Sequence, residues 1–277
     1  MSSTSPPPSS KITLEKCIGL TSKTNSSFTV NPATGEVAYA AGSVVVVYSA
    51  RRNRQVRFFR ASKSVSCCCF SSDGKFLAIG ETGHAPAVIV WDLSTGAVKS
   101  ELKGHKFGVS ALAFSPSAST LVSAGYKHDR RLYIWNWRAA RPVAAARISQ
   151  KVHSICFTSS RQFVTAGANH LKFWNMDASN VIFPDSPNPS DLTSSMSADA
   201  SILAANLPNP STLLPEIKGY PASILASHAN STFVDVAHHG PLDKVYTVTS
   251  NGTLCAFSAK SLLMENWVSL ESPSGCR

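Results

Sequence analysis

Four side chains between residues 105 and 135 could pass hydrogen bonds from one to the next: His105, Ser123, Asp129 and Trp135. A carboxylate only accepts and an indole N–H only donates, while an imidazole and a hydroxyl do both. A chain running from carboxylate through imidazole and hydroxyl to indole therefore leaves no member unsatisfied. Fully satisfied networks of this kind stiffen a small sheet. The same residue types also occur in nucleophilic triads, but here they are expected to hold structure. No G-x-S-x-G, Walker lysine loop, H-E-x-x-H or kinase signature accompanies them. No catalytic residue is assigned, and the chain is not expected to be an enzyme.

Other reactive residues are read the same way. Cys67, Cys68 and Cys69 are consecutive, and no C-x-x-C pair exists among the 7 cysteines. On a strand, neighbours point to opposite faces, so these three cannot enclose one tetrahedral ion. They read as small buried hydrophobes in a reducing compartment. His238 and His239, near Asp235, could be drawn as a metal site, but read better as imidazoles at a hairpin corner. Neither a metal nor a cofactor is expected.

The elements that must position the four-residue chain are strands. Residues 109–114, 120–124 and 132–135 are rich in β-branched and aromatic residues, separated by the turn Ser115-Pro116-Ser117 and a loop at 125–129. The unit recurs. Trp91, Trp135 and Trp174 are 44 and then 39 residues apart, and first strands begin at Val65, Val109 and Val152. Units of about 40–45 residues with four strand patterns each predict propeller blades. A Gly-His lead-in and an Asp six residues before the Trp resemble a WD-repeat blade. The fold class is therefore all-β, a WD-repeat β-propeller of about five four-stranded blades forming an incomplete ring.

In order along the chain, residues 1–11 are a Ser/Pro tail expected to be disordered, and 12–277 the propeller segment. Residues 12–20 are expected to form an outer strand. Blades are placed at about 26–63, 64–105, 106–150, 151–177 and 230–271, with a disordered Pro/Ser/Asn-rich insertion at 178–212. Tyr48 stands where the first blade needs its aromatic; Trp91, Trp174 and Phe257 do so in the second, fourth and fifth. Only the third blade has the whole tetrad, so the others are expected to rely more on packing. The chain has 277 residues, 43% hydrophobic and 15% charged, and no apolar run of membrane-spanning length. An unanchored cytoplasmic protein, with no membrane partner, is expected.

Several segments carry a narrower resemblance, among them SSDGKFLAIGETGHAPAVIVWDL, GHKFGVSALAFSPS, GYKHDRRLYIWNW and FVTAGANHLKFW. They look like the N-terminal propeller of the mitogen-activated protein kinase-binding protein 1 family, which includes a WD-repeat relative of the mitotic spindle pole. That resemblance implies a non-catalytic scaffold that binds kinase-pathway or centrosomal proteins, located at the cytoskeleton, centrosome or spindle pole. The relatives carry a seven-bladed first propeller, a second propeller and a kinase-recruiting tail. This chain would end inside the first propeller, so it is expected to be a short product or a piece, open to self-association. Partner contacts are expected on the loops between second and third strands, through His84, Pro86, Lys127, His128, Arg130, Asn169 and His170. The net charge of +10 has its densest source in Arg51, Arg52, Arg54 and Arg57. This basic loop at 51–60 supplies an alternative, binding of an anionic ligand, although few aromatics accompany it and nucleic acid is not the expected partner.

Overall fold

The computed structural model describes residues 14–22, 24–176, 214–225, 228 and 230–270. The expected tail at 1–11 and insertion at 178–212 lie outside the described residues. Twenty strands form five four-stranded antiparallel sheets, each a simple meander. The first blade is β1 (Phe28–Val30), β2 (Val37–Ala41), β3 (Val44–Ser49) and β4 (Arg54–Arg60). The second is β5 (Val65–Phe70), β6 (Phe76–Glu81), β7 (Ala87–Asp92) and β8 (Val98–Lys103). The third is β9 (Val109–Phe114), β10 (Leu121–Gly125), β11 (Arg131–Asn136) and β12 (Arg141–Arg147). The fourth is β13 (Val152–Phe157), β14 (Gln162–Gly167), β15 (His170–Asn175) and β16 (Gly219–Pro221). The fifth is β17 (Phe233–His239), β18 (Lys244–Thr249), β19 (Thr253–Ser258) and β20 (Met264–Ser269).

Alternation along each strand sends successive side chains to opposite faces, and both faces of the middle blades are buried. On β10, Leu121 joins the core shared with the second blade, while Val122 and Ala124 join the core shared with the fourth. That two-sided burial explains why the strands read as continuous apolar runs. Four hydrophobic clusters among the described residues fill the four junctions between consecutive blades. None joins the fifth blade to the first, so the ring is open. First strands from all five blades line a central cavity of about 560 Å³.

Three features depart from expectation. Residues 14–22 contain no strand, and they lie against the first blade. The Gln55 amide holds both sides of Cys17's backbone, accepting its N–H at 2.8 Å and donating to its carbonyl at 2.7 Å. Thr21 bonds the carbonyl of Ala40 and the N–H of Gly42. One side chain thus does locally what a strand ladder was expected to do. Second, the fourth blade draws its outer strand from 219–221, beyond the range of 151–177 read from the sequence. A Cβ at Gly219 would come within 2.7 Å of the Trp174 ring, so a glycine is needed for this strand to cross it.

The third feature is a repeated bulge. In blades two to five the first strand slips register after one or two residues, leaving Ser66, Ser110, His153 and Val234 unpaired in the ladder. Bulges re-aim a side chain and increase local twist. Gly125 and Gly167 end the ladder opposite two of these bulges, and Gly80 pairs next to a third. A Cβ on Gly125 would meet Asp129 Oδ2 at 2.0 Å, and one on Gly167 the Lys151 carbonyl at 2.0 Å.

Candidate functional site

In the third blade the indole of Trp135 donates to Ser123 Oγ at 2.8 Å, and Ser123 Oγ lies 2.7 Å from His105 Nε2. His105 Nδ1 bonds Asp129 Oδ2, whose second oxygen accepts the Lys106 N–H at 2.9 Å. All four side chains are buried. Satisfying every member requires the Ser123 hydroxyl to donate to Nε2 and the imidazole Nδ1–H to donate to the carboxylate. The hydroxyl is thereby committed on both sides, in a sealed position, and is not free to attack a substrate. What the network does is pin the β10–β11 loop to the lead-in before β9.

The fourth and second blades reach the same end with residue sets that differ from the third blade's. In the fourth, the Trp174 indole donates to Thr165 Oγ1 at 2.8 Å, and Thr165 lies 2.7 Å from His170 Nε2. Burial pushes the His170 pKa down to about 4, so the ring is neutral. In the second blade buried Glu81 replaces the missing loop Asp. Its Oε1 accepts the N–H groups of Ser62 and Lys63 at 3.0 and 3.1 Å, and its Oε2 that of Ala87 at 3.1 Å. The available signal was a carboxylate at the end of β6, four residues earlier than the template expected. These blades do not rely on packing alone.

Of the aromatics, Trp91, Trp135, Trp174 and Phe257 are buried, and Trp91 packs on Phe59 with ring centroids 5.3 Å apart. Tyr48 occupies the same bulge position of its blade but stays half-buried, its phenol bonding the Asn53 amide oxygen. It does not fill an inter-blade core as the tryptophans do.

The loops between second and third strands share one rim with the lead-ins to the first strands, as the meander requires. On that rim His84, Lys127, His128, Arg130 and Asn169 are exposed. Two expected contact residues are not available there. His170 is only 3% exposed because its ring is used inside the blade, and Pro86 is buried behind the loop it follows. The second-blade loop is held from below by Lys63, whose amine donates to the carbonyls of His84 and Ala85 at 2.6 and 2.7 Å. Arg51 and Arg52 are exposed on the β3–β4 connection, at the opposite rim, with exposed Arg54 and Arg57 on β4 itself. The basic loop and the candidate contact loops are thus separate surfaces.

No group of three or more His, Cys, Asp or Glu side chains is placed to hold a metal among the described residues. His239 Nδ1 accepts the Leu242 N–H and Asp235 bonds Ser154, so the corner histidines do not converge on that carboxylate. Burial pushes the Cys67 thiol up to about 12 and Cys156 to about 11, far from the thiolate that reactivity requires.

Comparison with known proteins gives the following. The family described as WD domain, G-beta repeat matches residues 53–92 and 96–136. Each match begins near the outer strand of one blade and ends on the third strand of the next, so the sequence repeat straddles two blades. Mitogen-activated protein kinase-binding protein 1 of Mus musculus is 38% identical over 268 residues, 95% of this chain and 16% of that protein. WD repeat-containing protein 62 of Mus musculus is 35% identical over 271 residues, 96% of this chain and again 16% of the relative. The chain thus spans about a sixth of their length. Among solved structures, the β-propeller domain of Myceliophteria thermophila Cps50 (Swd1) superposes with a TM-score of 0.54 at 17% identity. That match covers 75% of this chain and 55% of the other, and shows the shared fold.

Proposed function

This chain belongs to the WD-repeat proteins and is related to the mitogen-activated protein kinase-binding protein 1 family, and from that premise we propose that it is a protein-interaction scaffold without catalysis of its own. One observation carries the reading. Buried networks in three consecutive blades fix the loops of a single rim while leaving His84, Lys127, His128, Arg130 and Asn169 exposed. A loop whose backbone is already held loses little entropy when a partner docks. By the names of its relatives, the partners are components of a mitogen-activated protein kinase pathway. A cytoplasmic site at the centrosome or spindle pole is part of the same proposal, supported by the sequence resemblance.

Photo-crosslinking groups at His84 and Lys127, compared with one at Lys99 on the outer strand of the second blade, test the rim. Adducts to a purified pathway kinase are expected from the first two positions only. Equal labelling from all three would remove the rim from consideration, and no labelling would remove the kinase. A second reading rests on Arg51, Arg52, Arg54 and Arg57, which are exposed and have no carboxylate partner among the described residues. An anion held there would dissociate steeply with added salt, whereas a contact at the rim that buries mainly apolar area would change little.

A further inference from the structure

A second, smaller cavity of about 250 Å³ opens on the rim where blades two, three and four converge. The bulged Ser66 and Ser110 form part of its floor, Tyr126 a wall, and Lys127, His128 and Lys151 its basic lining. Each part is fixed. Ser66 Oγ donates to the carbonyl of Val109 at 2.5 Å, tying one first strand to the next. Gly108, at φ +141°, lets the Tyr126 ring lie over its backbone; a Cβ there would come within 2.9 Å of the ring. The Tyr126 carbonyl accepts the Asp129 N–H at 2.8 Å, so the buried tetrad holds the segment that carries Lys127 and His128. Lys151 is half-buried, with its carbonyl bonded to the Ala168 N–H at 3.1 Å.

The charge on this cavity is unbalanced. Among the described residues no carboxylate pairs with Lys127 or Lys151, while other lysines at the surface, Lys103, Lys244 and Lys260, each have one. The Ser66 and Ser110 hydroxyls already donate to carbonyls, so binding polarity comes from the two amines, the imidazole and the hydroxyls of Tyr126 and Thr24. Two cations beside further donors match a dianion better than a single carboxylate, and a phosphorylated side chain carries a charge of about −1.5 to −2 at neutral pH. We propose that this cavity receives the phosphorylated serine or threonine side chain of a partner peptide, with Lys127 and Lys151 contacting its oxygens. The inference rests on the scaffold reading and names the chemistry of the partner at that rim.

The test uses fluorescence anisotropy with the purified chain and two degenerate peptide pools, identical except for phosphorylation at a central serine or threonine. Roughly tenfold tighter binding of the phosphorylated pool is expected, as is competition by inorganic phosphate. Lys127→Gln combined with Lys151→Gln should abolish the preference, and the Lys→Arg pair should keep it, with unchanged melting in both. Arg51→Gln with Arg52→Gln should leave it intact. Equal affinity for the two pools would overturn the proposal while leaving a phosphate-independent scaffold standing. A preference lost with the Arg51 and Arg52 changes but not with the lysine changes would overturn it in favour of the basic loop. Binding of neither pool would overturn it too, and rim crosslinking to a kinase would then decide the scaffold reading by itself.

Discussion

His105 and His170 show how one side chain can serve two designs. His105 comes from a lead-in loop and bridges Asp129 to Ser123, while His170 begins its own strand and bonds only Thr165. For His170 the hydroxyl that accepts from Trp174 must donate to Nε2, so protonating that nitrogen breaks the bond. Its folded pKa of about 4 lies below the ordinary 6.5, so as pH falls the unfolded chain takes up the proton first. The stability tied to neutral His170 is therefore whole above pH 6.5 and is lost progressively down to about pH 4, on the order of 3 kcal/mol in all. Denaturant midpoints across that window should fall in the natural chain, and His170→Gln should flatten the slope. Trp135→Ala should also cost far more than Tyr48→Ala. Truncating a buried aromatic costs about 3–5 kcal/mol, and each polar group stranded in the core adds about 1–3. Tyr48 is half-buried and strands only Asn53. Equal midpoints for the two variants would refute the network argument. The third-blade tetrad was legible because its residue types and spacing follow the WD pattern. Glu81 was not, because it meets the need from a strand position the pattern does not specify; Thr165 stands in the register of Ser123 but was masked by a shorter loop between the second and third strands.

At the scale of elements, the glycines that close the second strands of the third and fourth blades are there for steric reasons. Gly125 leaves room for the Asp129 carboxylate, and Gly167 for the Lys151 carbonyl. Gly125→Ala should expel Asp129 from His105 and cost several times the ordinary helix- or strand-interior effect of about 0.5–1 kcal/mol, here with a sign reversed from the usual gain on adding a Cβ. A melting curve no lower than that of the natural chain would show that the loop relaxes freely. Strand existence could be read from β-branched runs and turn residues, most plainly for the inner strands of the middle blades, which are buried on both faces. Bulges could not, since a one-residue slip in register leaves the apolar pattern nearly unchanged while moving Ser66, Ser110 and His153 out of the ladder. The outer strand of the fourth blade escaped notice for a related reason. It pairs over only three residues, two of them Gly219 and Pro221, and neither has strand propensity.

At the scale of the molecule, four inter-blade cores hold five blades, and the two terminal faces differ. The first blade has residues 14–22 lying against it, held by the Gln55 side chain and by the backbone of Ala40 and Gly42. The fifth presents Tyr246, Val248 and Leu254 half-buried beside exposed Val268, on the face opposite its core with the fourth blade. Apolar blade faces are built to pack on another blade, and the outer strand β20 adds an unpaired edge of backbone N–H and C=O groups. Packing angles between blades are set by side chains already committed in the four cores, so closing the arc on itself would require repacking all of them at once. Covering the fifth blade's face with a second copy disturbs none of them. The polypeptide of 277 residues, expressed alone, is accordingly expected to self-associate at micromolar concentration. Sedimentation velocity over a hundredfold dilution measures this directly. Val268→Lys, which places a charge on that face without touching the cores, should shift the distribution to monomer while leaving the melting midpoint in place. A compact monomer at every concentration, insensitive to Val268→Lys, would mean that the five blades close in solution.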